Sequence, residues 1–271
     1  MKTKRKKRWK IIVKGILLLL VLYLSLGFLS TLPVKKKNMN NPPDFDLLTL
    51  SEKFLYAVKT NDSIAYYEQQ LADLSMPSLK KGLTNDKAIK TFWINLYNGW
   101  FQILAGREKM SRPKIFTGKK ILIAGHHFSL DNIEHDILRR YRWKYSMGYL
   151  PRFFPGRLLK TLAVQKIDYR IHFALNCGAK SCPLIAFYQY EKLDSQLDVA
   201  GRNFLKNETT IDEENKSIRT SKILDWFRAD FGGKKGMRKI LGHIFHQDFS
   251  GYTIHFNPYD WESVLNNYRE E

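Results

Sequence analysis

The stretch GILLLLVLYLSLGFLSTLPV, residues 15–34, carries no charged side chain and is rich in leucine. An α-helix rises about 1.5 Å per residue, so roughly 20 apolar residues cross a bilayer core of about 30 Å. A cleaved signal peptide has a shorter apolar region, of about 7–15 residues, that ends in a small-x-small cleavage site, and the far end of this stretch, GFLSTLP at 27–33, has no convincing site of that kind. Seven bases among the first ten residues disfavour a helix buried in a protein core. The stretch therefore predicts an uncleaved signal anchor.

Basic residues flank this predicted helix unequally, with seven in the first ten residues and three directly after the stretch. The more positive flank of a membrane helix stays on the cytoplasmic side. We therefore predict a single-pass protein of the cell membrane, with a cytoplasmic N-terminus and with residues 11–34 in the lipid bilayer. Residues 1–34 would form the basic tail and the anchor, 35–44 a tether, and 45–271 one extracytoplasmic domain, which is periplasmic in a bacterium.

The formal net charge of +19 is concentrated at the N-terminus. Residues 1–37 hold eleven of the 45 Lys and Arg and no acid, so 34 bases and 26 acids, a surplus of 8, remain for the other 234 residues. Binding to nucleic acid requires a basic surface on the domain itself, so we predict no nucleic-acid partner. The 44% apolar content excludes a disordered chain, and two cysteines exclude a disulfide-dense scaffold.

Apolar spacing predicts helices in the first third of the domain and scattered short strands after it. Because the two do not alternate regularly, we predict one globular α+β domain behind a single N-terminal transmembrane helix. The predicted helices are 45–59, 63–74, one from Thr84 or Asp86 to Leu104, one that opens at Ser129 or Asp131, and 191–205, 222–229 and 234–245. The predicted strands are 120–124, 127–129, 167–175, 217–220 and 252–256, of which 167–175 has the clearest alternation.

The densest run of chemically capable residues is DYRIHFALNCGAKSCP, residues 168–183. The predicted strand places His172 and Asn176 on one face and delivers Cys177 at its end, beside a glycine that allows a sharp turn. Cys182 precedes a proline that suits the first turn of a helix, where the pKa of a thiol is lowered. The same spacing fits a disulfide between the two cysteines around a tight loop, or an inert core.

Asp131 and His135 lie four residues apart on a predicted helix, so the carboxylate can orient the imidazole. Glu134 points about 100° away from its neighbour His135 and cannot take that part. A cysteine nucleophile needs an oriented base, which makes Cys177 the candidate nucleophile, His135 the general base and Asp131 its orienting group. The alternative is an exposed Asp–His pair on a helix surface.

Three amides, Asn95, Asn98 and Gln102, form a stripe on an otherwise apolar helix. Buried amides must be hydrogen-bonded, so the stripe faces another backbone segment or a polar cleft. Zinc could use both cysteines with His135 and His172, but none of their spacings is that of a usual ligand pair. We predict no metal site and no cofactor.

Three ordered segments resemble a known family, the domain of unknown function 547. They are FWINLYN at 92–98, SLDNIEH at 129–135, and RIHFALNCGAKSCP at 170–183. Two later segments, SKILDWF at 221–227 together with Asp230 and Phe231, and YDW at 259–261, resemble its C-terminal markers, so the resemblance covers about residues 85–265. It implies that the polar and sulfur residues of these segments form a site, and it implies no particular reaction.

Two functions are open at this point. The first is a membrane-anchored cysteine-dependent amide hydrolase or acyltransferase that acts on peptide-like or envelope substrates. Its site would be lined by His172, Asn98, Asn95, Asn176, Cys182 and Glu134. The second is a non-catalytic envelope domain that binds a small molecule, a peptide or a protein through an aromatic cleft, with Cys177 and Cys182 as a structural pair.

Overall fold

The computed structural model describes residues 2–32 and 41–270. Helices dominate, and two small sheets accompany them, so the predicted α+β class is confirmed. Most of the predicted tether, 35–40, lies outside the described residues. The division of the chain into tail, tether and domain stays a prediction.

The first helix, α1 (Lys2–Ser30), contains a segment, Val13–Ser30, that is long and apolar enough to cross a membrane. Its mean hydropathy is 2.1, and only 6% of it is buried by the rest of the chain. Burial in a protein core therefore does not explain its composition.

Four helices follow: α2 (Phe45–Thr60), α3 (Ile64–Asp73), α4 (Met76–Gly82) and α5 (Asp86–Gln102). A π-helical turn, Ile103–Arg107, continues α5. The predicted cap of α5 at Thr84 or Asp86 is wrong, because the side chain of Asn85 accepts a hydrogen bond from the Ala88 N–H at 2.9 Å. The Asp86 carboxylate instead accepts hydrogen bonds from the backbone N–H groups of residues 165 and 166.

The middle of the chain begins with the short helix α6 (Lys114–Thr117) and the antiparallel hairpin β1 (Ile121–Ile123) and β2 (His126–Phe128). The helix predicted after this hairpin forms as a π-helix, Asn132–Leu138. A 3-10 turn (Lys144–Ser146) and α7 (Arg157–Leu162) follow.

The predicted strand 167–175 is wrong, since Tyr169–Phe173 is a 3-10 helix. The Asp168 side chain accepts a hydrogen bond from the Arg170 N–H at 3.1 Å and so caps a helical turn, which competes with strand pairing. Ile171, His172 and Phe173 are all buried, so their alternation does not separate a buried face from an exposed one.

The last third contains α8 (Leu193–Glu208), β3 (Thr210–Asp212), β4 (Ser217–Thr220), α9 (Ile223–Trp226), α10 (Gly233–Phe245) and β5 (Thr253–Phe256). The sheet order is β3-β4-β5; β3 and β4 are antiparallel, and β4 and β5 are parallel with Ile218 opposite Ile254.

The helix predicted to begin at Pro183 does not form. The chain there is extended, and Ile185 bridges to Tyr268.

Two hydrophobic cores fill the domain. The larger one surrounds α5, and the smaller one lies among α9, α10, β4 and β5. The 3-10 helix Tyr169–Phe173 joins them, because Ile171 packs in the first core and Phe173 in the second. The residues on either side of this helix therefore lie at the junction of the cores.

Candidate functional site

A cavity of about 450 Å³ opens at this junction. Its wall is mostly apolar and aromatic, formed by Tyr97, Pro113, Phe116, Tyr145, Met147, Leu175, Pro183, Ile223, Trp226, Phe227, Tyr259 and Trp261. Its polar lining consists of Asp131, Glu134, His135, Lys144 and His172. A mostly apolar wall with a few convergent polar groups is typical of small-molecule sites.

Cys177 and Cys182 also line the cavity, and a disulfide joins them. The backbone N–H of Cys177 donates a hydrogen bond to Cys182 Sγ at 3.1 Å. The Tyr259 hydroxyl lies 3.1 Å from Cys182 Sγ and 3.4 Å from Cys177 Sγ. The pairing that the sequence left open is therefore present in the structure, and in this state neither cysteine has a free thiol.

His135 belongs to the π-helix and is held by its neighbour Arg139. Arginine can only donate, so the 2.8 Å contact from Arg139 Nη1 is to an unprotonated His135 Nδ1. Burial, followed by the charge of Arg139, holds the pKa of His135 well below its usual value, which leaves the ring neutral. The only ring lone pair is therefore occupied.

The remaining ring nitrogen of His135, Nε2, faces the predicted orienting group. Asp131 Oδ1 is 3.7 Å away, beyond hydrogen-bonding distance, and Asp131 Oδ2 forms a 2.6 Å ion pair with Lys144. The structure thus brings Asp131, His135 and Cys177 to one cavity. Their catalytic roles stay predictions.

Glu134 is the most unusual acid in the cavity. Burial raises its pKa to about 7; the charge of Arg139 opposes this rise and that of Asp131 adds to it. The Tyr97 hydroxyl donates to Glu134 Oε2 at 3.3 Å. Glu134 Oε1 lies 3.8 Å from His135 Nδ1, so the two neighbours share the cavity without a hydrogen bond. Near neutral pH this carboxyl group can either donate or accept a proton.

A buried carboxylate, Asp230, holds His172 and Arg139 in place. Its Oδ2 accepts hydrogen bonds from His172 Nε2 at 2.9 Å and from Arg139 Nε at 2.6 Å. Burial alone would raise the pKa of Asp230, but the hydrogen bond from His172 and the charge of Arg139 lower it to about 2. His172 also stacks on Phe227, with ring centroids 3.9 Å apart. His172 therefore lines the cavity with a ring whose orientation is fixed by Asp230 and Phe227.

The predicted lining amides are not among the residues that border the cavity. Asn95 pairs with the backbone of Tyr188 through two hydrogen bonds, of 2.8 and 3.0 Å. Asn98 donates to the Ala174 carbonyl and accepts from the Asn176 N–H, both at 2.9 Å. The Asn176 side chain in turn donates to the Pro183 carbonyl at 2.7 Å. Asn98 and Asn176 therefore hold the segment that carries the disulfide, and Asn95 holds the chain at Tyr188. Asn95 and Asn98 face another backbone segment, one of the two environments predicted for the amide stripe.

Several cavity residues were not singled out from the sequence. Tyr97, Trp226 and Tyr259 lie inside segments that carry the family resemblance, so those segments held a signal for them. Asp230, one of the family markers, binds Arg139 and His172 across 91 and 58 residues of chain, and Arg139 in turn contacts His135; local spacing does not show these long-range contacts. Lys144, Tyr145 and Met147 belong to no predicted element.

The four side chains weighed as zinc ligands, Cys177, Cys182, His135 and His172, line the same cavity but are not grouped as a metal site. Within residues 2–32 and 41–270, no three His, Cys, Asp or Glu side chains are grouped so as to hold a metal ion. The two cysteines are already used in the disulfide.

Comparison with known proteins supports the resemblance drawn from the motifs. Residues 81–205 match the family described as "Protein of unknown function, DUF547". This confirms the family prediction for that segment, which includes the π-helix and both cysteines. The matched segment ends before Trp226 and Tyr259. No curated protein and no solved structure matches the chain.

Proposed function

We propose that this chain is a ligand-binding protein of the cell envelope. In this proposal α1 anchors it in the membrane, the N-terminus is cytoplasmic, and the domain lies outside, where its cavity binds an apolar or amphiphilic ligand. The Cys177–Cys182 pair is a structural staple of the cavity wall.

The observation that carries this proposal is the disulfide in the wall of the cavity. A cysteine enzyme attacks with a thiolate, and here both sulfurs are bonded to each other. The lone pair that a general base would use is occupied by Arg139. A disulfide also favours an oxidising location outside the cytoplasm. The size and the aromatic lining of the cavity, by contrast, are those of a binding site.

Photolabelling tests the binding proposal on the full chain in detergent. We expect an alkyl diazirine to label peptides that contain Tyr97, Trp226 or Tyr259, and we expect excess decanol to abolish this labelling. Labelling of Tyr66, which is exposed on α3 outside the cavity, serves as the control and should not respond to decanol. Labels confined to α1 and to exposed surfaces would contradict the proposal.

Mass spectrometry tests the state of the cysteines. We expect the intact protein to be two hydrogens lighter than its reduced form and to resist iodoacetamide without a reductant. Rapid alkylation of Cys177 in the native protein, at a rate that rises with pH, would restore the cysteine hydrolase as the better candidate.

A further inference from the structure

One surface segment, which we call the aromatic loop (residues 143–154), exposes an unusual number of large apolar side chains. Those at least 42% exposed are Trp143, Tyr145, Met147, Tyr149, Leu150 and Phe154. Isolated exposed apolar residues are ordinary, but a cluster of them marks an interaction surface. Trp and Tyr in particular are enriched where a protein meets the membrane interface.

The aromatic loop contacts the end of the apolar segment of α1. The Phe154 N–H donates a hydrogen bond to Ser30 Oγ at 2.8 Å, and the rings of Phe154 and Tyr23 lie 5.5 Å apart. Gly27 packs against Phe153, since a Cβ at Gly27 would lie 2.8 Å from the ring. Because Val13–Ser30 is the segment apolar enough to cross a membrane, these contacts put the loop where that segment ends.

The charge around the aromatic loop suits an anionic lipid surface. Between Asp136 and Asp168 the chain has eight Lys and Arg and no acid. Three of the eight, Arg139, Lys144 and Arg152, pair with Asp230, Asp131 and Asp136. Arg152 and Arg157 are exposed. Bases near an anionic membrane surface strengthen binding to it.

The aromatic loop also forms part of the rim of the cavity. Tyr145 and Met147 line the cavity and are 74% and 42% exposed, so they lie at its mouth. Lys144 ties the loop to the cavity wall through its ion pair with Asp131. At Gly148 the loop packs closely against Asp230, since a Cβ at this position would lie 2.5 Å from Asp230 Oδ1.

We propose that the aromatic loop lies in the headgroup region of the membrane that α1 enters, and that the cavity takes an amphiphile with an acyl chain from that membrane. This inference rests on the proposed anchor and binding site. Trp143, Tyr149 and Leu150 provide the apolar contact with lipid, and the neighbouring arginines provide the contact with phosphate groups. The mouth of the cavity then faces the lipid surface, and an acyl chain reaches it without crossing water.

A depth measurement tests the position of the loop. The only two native cysteines are bonded to each other, so an introduced cysteine can be labelled alone. Tyr149→Cys and, as a control of similar exposure outside the loop, Tyr66→Cys each receive a nitrobenzoxadiazole label in the full chain. Both are reconstituted in vesicles of phosphatidylcholine and phosphatidylglycerol that contain a doxyl-labelled lipid. We expect severalfold stronger quenching at position 149, and equal quenching at the two positions would overturn the proposal.

A second measurement tests the source of the ligand. We expect a phosphatidylcholine with a diazirine on its acyl chain, placed in the same vesicles, to label cavity peptides that contain Tyr97 or Trp226. If the soluble alkyl diazirine labels these peptides and the phospholipid probe does not, the binding function stands and the membrane source is wrong. If neither probe labels them, the binding function itself fails.

Discussion

At the level of single residues, Glu134 makes the stability of the domain depend on pH. Its folded-state pKa of about 7 lies above the ordinary value of 4.5, because burial disfavours the charged form. Below pH 4.5 the Glu134 carboxyl group is protonated in both the folded and the unfolded state. Between pH 4.5 and 7 it is ionised in the unfolded state and still protonated in the folded state. The free energy of unfolding therefore falls as the pH rises through this window, and it levels off above pH 7.

We expect Glu134→Gln to remove this dependence, because glutamine keeps an acceptor for Tyr97 and does not ionise. At pH 8 the variant should be more stable than the wild type by up to about 3 kcal/mol, with little difference below pH 4.5. Urea unfolding across this range measures it. Glu214→Gln, on the exposed turn between β3 and β4, is the matched control and should follow the wild type. A variant that retains the full pH dependence would show that Glu134 is not its source.

The surroundings of His135 could be predicted from the sequence only in part. The placement of Asp131 and His135 on one helical face was predictable from their spacing, and both do line the cavity. The use of the His135 lone pair by Arg139 was not predictable. A four-residue spacing indicates proximity, whereas the choice of partner depends on Asp230, which holds Arg139 from 91 residues away.

At the level of elements, the packing of α5 against α2 depends on Gly99. A Cβ at this position would lie 2.5 Å from Phe54 Cε1, in a core where Phe54 is completely buried. Overpacking costs about 1–3 kcal/mol, and the better helix propensity of alanine returns about 1 kcal/mol. We expect Gly99→Ala to destabilise the domain by up to about 2 kcal/mol in urea unfolding.

Gly106 provides the control for this substitution. It lies in the π-helical turn that continues α5, and a Cβ there would be 4.0 Å from Leu265 Cδ1, an ordinary contact. We expect Gly106→Ala to be neutral or slightly stabilising. Equal effects at both positions would mean that the close contact with Phe54 does not limit the packing.

Amphipathic helices and isolated hairpins were predictable because their signal is local. The helix α2, the helix α8 and the strand β4 lie close to their predicted positions. The 3-10 helix Tyr169–Phe173 was not predictable, because its alternation of residue types arises from burial between two cores. Period-two alternation indicates a strand only where one face is exposed.

At the level of the whole molecule, the cavity combines segments that are far apart in sequence. Tyr97 comes from α5, Glu134 from the π-helix, Cys177 from the loop after the 3-10 helix, and Trp226 and Tyr259 from beyond the family match. The sequence could nominate these segments one by one, through motifs, but it could not show that they meet. The sequence shows how many more bases than acids the domain has. It does not show that the basic stretch around the aromatic loop lies next to α1, which the contact between Phe154 and Ser30 reveals.

The proposed orientation of the whole chain follows from charge near the ends of the anchor. The positive-inside rule counts bases within about 15–20 residues of a span, so the bases of the aromatic loop do not compete with the N-terminal tail. We expect a C-terminal alkaline phosphatase fusion to be active and a C-terminal green fluorescent protein fusion to be dark. Changing the seven bases of the first ten residues to glutamine leaves Lys14 before the charge-free stretch and three bases after it, which should invert a fraction of the molecules.

The two cysteines provide an independent readout of this orientation. In molecules that are inverted, the domain lies in the reducing cytoplasm, where Cys177 and Cys182 should be free and alkylated by iodoacetamide. In the wild type they should stay protected. Phosphatase activity and cysteine protection should therefore fall together across the tail variants. Active fluorescent protein together with free cysteines in the wild type would place the domain in the cytoplasm and reverse the proposed topology.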